Sequence, residues 1–185
     1  MFIAQQLREK NIAEYLIYMW QVEDLIRAAG FDVEKICQTV VAGATLDEEQ
    51  QKALEGWYAD LIQMMRDEGV TQNGHLQINK NVIINLTELH TKLLATSAFP
   101  YYSAAYYKAL PVIVELRSRS GSAETPELET CFDALYGVML LRLQKKTVSA
   151  ETTKAINIIS SFLSMLANYY DRERKGELDF GRSND

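Results

Sequence analysis

"NIISSFLSMLANYY", residues 157–170, decides the fold class. Wound as an α-helix at roughly 100° per residue, it gathers Ile158, Ile159, Phe162, Leu163, Met165, Leu166, Tyr169 and Tyr170 on one side. The other side collects Asn157, Ser160, Ser161, Ser164 and Asn168. Solvated helix faces usually carry Lys, Glu and Arg, whereas this one carries small neutral polar groups. Four readings fit it: bare solvent surface, cover by the C-terminal tail or another part of the chain, the lining of a polar cavity, or a subunit interface. The last gains from small side chains that let helices approach and from hydroxyls that leave no charge to desolvate.

The same periodicity extends along the whole chain, punctuated by Gly and Pro. A first helix is expected from about Ile3 to Ala29, stopping at Gly30, and a short second one from an Asp32 cap to Ala42, closed by Gly43. Thr45 and Glu48 have capping-box spacing and open a third helix running to about Glu68. After the turn Thr71–Gly74, a fourth covers about Asn79 to Ser97. Pro100 suits the first turn of a fifth, ending near Arg119 and Gly121; Thr125-Pro126-Glu127 starts a sixth, since proline's missing N–H is harmless there. Ser149 caps the last, which runs to about Lys175. No segment alternates like a strand and no period repeats. The expectation is all-α: a single-domain antiparallel bundle of six to seven helices over residues 1–175, with a mobile tail at 176–185.

Pro111 tests the fifth helix, because an interior proline costs about 3 kcal/mol in helix propensity. It shares a face with Ala104, Lys108 and Glu115, while Tyr101, Ala105, Ala109, Val112 and Leu116 lie around the other side with Tyr102, Tyr106 and Ile113. A proline on the outer face bends a helix around the core, so a bent fifth helix is expected. A narrow strip of small residues on the sixth, Thr130, Ala134, Gly137 and Leu141, suggests that something approaches the Gly137 backbone closely.

Composition bounds the function. The chain has 185 residues, enough for one domain with a substantial core; 48% are hydrophobic and 24% charged, values of a globular protein rather than a disordered one. A net charge of −6 argues against a general nucleic-acid binder. The basic clusters "ELRSRSG" and "LRLQKKT" fall at helix C-termini, where cations complement exposed carbonyls. Cys37 and Cys131 lack metal-like spacing and read as small core residues in a reducing compartment. "MFIAQQLREK" turns polar too early for a signal peptide, and the uncharged run from Leu93 to Tyr107 is too short and polar for a membrane span of roughly 20 residues. A soluble cytoplasmic protein without membrane or nucleic-acid partners is expected.

Candidate chemistry is sparse. The first helix is apolar nearly all round, yet Glu23 falls at the angle of Ile12, Leu16 and Met19. A buried carboxyl there is either an acid–base group of raised pKa or a side chain bonded to a tyrosine, an arginine or a helix end. Glu14 and Gln21 share another side, flanked by Tyr18 and Leu25. His90 borders the stripe Leu86, Leu89 and Leu93 and is either a general base or ligand or a satisfied structural histidine; His75 sits in the "NGHL" turn with no visible partner. The tyrosines of "YYSAAYYKAL" either pack in the core with wet hydroxyls or line a pocket. No nucleophile elbow, P-loop, dinucleotide turn or metal motif accompanies them, and no cofactor is expected.

The opening "MFIAQQLREKNIAEYLIYMWQVEDLIRA", residues 1–28, taken with the chain's full length, resembles an uncharacterised helical family of Bacteroides-type bacteria, a domain of unknown function. The resemblance covers most of the chain but has no motif with an assigned role, so no functional residue carries over. It implies a bacterial, cytoplasmic protein. Two functions stay open. One is a non-enzymatic interaction or scaffold protein, homodimeric through Asn157, Ser160, Ser161, Ser164 and Asn168. The other is a ligand-binding or catalytic bundle with a pocket of Glu14, Tyr18, Glu23, His90, Tyr102 and Tyr106.

Overall fold

A computed structural model of the chain describes residues 1–41, 46–120 and 125–180. The described residues form eight helices and no strand: α1 (Phe2–Lys10), α2 (Ile12–Ala28), α3 (Val33–Val41), α4 (Glu48–Asp67), α5 (Gln77–Leu94), α6 (Pro100–Ser120), α7 (Glu127–Leu143) and α8 (Ala150–Arg174). The all-α class read from periodicity holds. The count of six to seven does not, because the expected first helix is two. Asn11 stands between them, and its side-chain oxygen accepts the Ala13 amide at 3.1 Å. Asn at an N-cap satisfies one of the orphan donors of a starting helix, so the helical path restarts at Ile12 although the apolar pattern runs on.

Other boundaries follow local chemistry. Asp32 accepts the Lys35 amide at the start of α3. The expected Thr45–Glu48 box starts outside the described residues, as do the stops at Gly43 and Gly121. The cap in place at α4 is Asp47, which accepts from the Gln50 amide at 2.8 Å while the Gln50 side chain takes the Asp47 amide at 3.1 Å. Ser149 caps α8 through the Thr152 amide. α6 continues through Pro111, whose ring is exposed, so the lost N–H is lost on the wet side.

The chain divides into two compact units: Met1–Lys10 with Glu14–Val82, and Asn11–Ala13 with Ile83–Asp185. In the first, α3 packs on α4, and Leu16, Trp20, Ile26, Ile36, Tyr58 and Met65 are buried. In the second, α6, α7 and α8 pack on one another. α6 and α8 run past each other in opposite directions: Phe99, just before α6, meets Tyr169, Tyr102 meets Tyr169 and Phe162, and Tyr106 meets Phe162. Phe180, beyond α8, also sets its ring edgewise on Phe99.

One sequence expectation is corrected, and another is narrowed. Tyr101, placed on the inner side of the fifth helix, is 81% exposed. The buried arc of α6 centres on Tyr102, Ala109 and Ile113, and Tyr101 falls about 100° from that centre. Gly137 is exposed, and a Cβ built on it meets nothing within 4 Å, so no described part of the chain approaches its backbone closely.

Candidate functional site

In the first unit, Glu23 is fully buried and engaged at both oxygens. Oε1 accepts the Leu76 amide at 3.0 Å and the Asn79 side-chain amide at 2.7 Å, and Oε2 lies 2.6 Å from His75 Nδ1. Leu76 stands just before α5, so Glu23 supplies a negative oxygen where the helix leaves amides unpaired. Trp20 stacks on the His75 ring with centroids 4.1 Å apart. Arg27 donates to the carbonyls of Val70 and Gly74 and to Asp24, holding the same turn from below. Glu23 and Arg27 thus tie α2 to the turn between α4 and α5 and to the start of α5.

In the second unit, His90, Tyr102 and Tyr106 do come together. His90 Nδ1 lies 2.6 Å from the Tyr102 hydroxyl, and its ring meets Tyr106 and Phe162 edgewise with centroids 4.8 and 5.8 Å away. A phenol is the stronger donor and a bare imidazole nitrogen the stronger acceptor, which places the imidazole proton on Nε2. Burial pushes the His90 pKa below its usual value against an opposing pull from Glu127, which favours the neutral ring. Burial drives the Tyr102 phenol far up. Tyr106 donates to Glu127 at 2.8 Å, and burial followed by that bond raises it to about 12. The cluster is a packed aromatic core with paired polar tips.

The remaining residues of the expected pocket are placed otherwise. Glu14 is exposed, and Tyr18 is half-buried, its phenol raised by burial. Glu23 has its own partners, as above. Cys131 is buried with its thiol pushed up to about 12, and burial also raises the half-buried Cys37 thiol; both are free thiols whose surroundings disfavour the thiolate. Among the described residues no group of three or more His, Cys, Asp or Glu is placed to hold a metal ion.

The face of α8 is where something remains unaccounted for. Asn157, Ser160, Ser161, Ser164 and Asn168 are all exposed, opposite the buried Ile159, Phe162, Leu163 and Leu166. No charged residue occurs from 155 to 170. Ser161 turns its hydroxyl back to the Asn157 carbonyl at 2.8 Å, so covering it strands no donor. Along one border of this strip, a groove of about 660 Å³ opens between α8 and α6. Phe162 forms its floor and joins it to the His90 cluster behind. The sequence showed the strip, but not Lys108 and Lys154 at the groove, nor Asn79 and His75 at Glu23. Those pairings join residues far apart in sequence and leave no periodic trace.

A family model for a domain of unknown function, DUF4924, matches residues 1–177, and the chain belongs to that family. No curated protein and no solved structure matches the chain. No described helix is long and apolar enough to cross a membrane.

Proposed function

We propose that the protein is a non-catalytic helical interaction protein that pairs with a second copy of itself through the outer face of α8. The observation that carries this reading is the exposed strip Asn157, Ser160, Ser161, Ser164 and Asn168, set in a stretch without charge. A lysine or glutamate buried in an interface must be desolvated, at several kcal/mol by rough reckoning, unless it is well paired. Small hydroxyls and amides avoid that cost and let two helices approach closely. Among the polar groups that resembled catalytic candidates, Glu23 is engaged by Leu76, Asn79 and His75, His90 by Tyr102 and Tyr106 by Glu127, which supports binding over chemistry.

Sedimentation velocity across micromolar to millimolar protein tests it. A reversible dimer is expected, weakened roughly tenfold or more by Ser160→Glu together with Ser164→Glu, which place charges on the strip without touching the core. A monomer at every concentration, or a dimer indifferent to both substitutions, would refute it.

A further inference from the structure

We infer that the groove between α6 and α8 binds an amphipathic anion, a charged head such as a carboxylate on an apolar tail or ring. The two helices run in opposite directions, as the ring contacts from Phe99·Tyr169 to Tyr106·Phe162 show, so rising numbers on α6 pass falling numbers on α8 along the groove. One end is walled by Ala105, Phe162 and Met165; toward the other stand Lys108, Asn157 and Lys154. Among the described residues no ion pair involves Lys108 or Lys154, and no acidic residue lines the groove.

Lys108 and Lys154 line the groove together with no acid among its lining residues, which makes it locally positive on a chain of net charge −6. Four other exposed lysines find acids, Lys35 with Asp32, Lys52 with Glu48, Lys92 with Glu173 and Lys175 with Asp171, while Lys10, Lys80, Lys145 and Lys146 have no ion pair among the described residues and do not line the groove. The volume of about 660 Å³ sits inside the usual range for small-molecule sites, roughly 300–1,000 Å³. The head group follows from the lysines, which act as point charges. No arginine lines the groove, so an anionic head meets two point charges rather than a planar fork. The tail follows from the apolar end, where it covers the Phe162 ring edge and the Met165 thioether, a side chain that adapts to varied shapes.

The test titrates decanoate, below its micelle-forming concentration, into protein dilute enough to be monomeric, so the result is independent of self-association. Methyl NMR shifts at Met165, Ile158 and Ala105 locate the site, and calorimetry gives the affinity. Decanoate is expected to bind at least tenfold tighter than decanol, with acetate and decyltrimethylammonium showing no saturable binding. Lys108→Glu with Lys154→Glu, both exposed positions, should weaken decanoate at least tenfold while circular dichroism stays unchanged. Ala105→Phe should fill the apolar end and weaken it as well; should that variant fold poorly, the lysine pair still decides. No saturable binding, equal affinity for decanol, full affinity in the lysine variant, or shifts confined to other methyls would each overturn the assignment.

Discussion

Glu23 and His90 are both buried polar side chains on helices, and their surroundings give them different consequences. Glu23 accepts from Leu76 N–H and from the Asn79 amide, and both donors are buried with it. Glu23→Ala leaves the two stranded, and at about 1–3 kcal/mol for each orphaned donor the loss should be about 3 kcal/mol or more. Glu23→Gln keeps one carbonyl for them and should lose roughly half as much, read by urea denaturation monitored at Trp20. His90 gives a pH signature instead. Its folded pKa lies below its ordinary 6.5, so between the two values the unfolded chain binds more protons than the folded one. Stability from this residue is therefore complete above about pH 6.5 and declines as the pH falls below it, by at most about 1.4 kcal/mol per pH unit. His90→Gln, which can still pair with Tyr102 but cannot titrate there, should flatten that part of the stability–pH curve relative to wild type. An unchanged slope would mean that His90 is not held neutral. The apolar sector of α2 announced that Glu23 would be buried, but its partners, 52 and 56 residues away in sequence, are set by packing that no local pattern records.

At the scale of the element, helix ends were more legible than helix interruptions. Ser149, Asp32 and Gly30 mark boundaries by chemistry visible in one or two residues. Asn11 does not, because apolar residues keep their helical spacing on both sides of it and only its side-chain bond to Ala13 reveals the break. Pro111 was readable for the opposite reason: its wheel position put it on the outside, where the missing amide has least to lose. Two positions let helix energetics be tested in opposite senses. Three helix ends turn left-handed at glycine, with φ of +68° at Gly30, +70° at Gly69 and +71° at Gly176, but α7 ends with Lys145 at +57°. Its amide bonds to the Arg142 carbonyl and that of Lys146 to Leu141, so the same hydrogen-bonded terminus is made without glycine. A residue with a Cβ pays about 1–2 kcal/mol for that backbone region, so Lys145→Gly should stabilise by about 1 kcal/mol after the greater freedom of the unfolded chain is subtracted. Within the same helix, Gly137 has regular backbone and open space around its Cβ direction. Gly137→Ala should therefore also stabilise, by up to about 1 kcal/mol. Thermal denaturation of the two single variants and the double variant checks both, and a loss at Gly137 would show that something does press on that face.

For the molecule as a whole, charge sets how copies meet. Each copy carries a net −6, so two approaching copies repel, yet the α8 strip contributes no charge of either sign. Long-range repulsion of this kind is screened beyond roughly 8 Å at physiological ionic strength and more strongly at higher salt. An interface assembled from ion pairs loses affinity as salt rises, because the same screening weakens its attractions. An interface made of serines and asparagines has no such attractions to lose, and only the repulsion is relieved. The dimer dissociation constant, measured by sedimentation from low to high sodium chloride, should therefore hold steady or fall. Decanoate held by Lys108 and Lys154 should respond the other way, weakening as salt competes for the lysines. The two salt trends separate neutral self-association from anion binding on adjoining surfaces of one helix. A dissociation constant that rises steeply with salt would place the dimer contact on charged residues elsewhere and leave the α8 strip facing water.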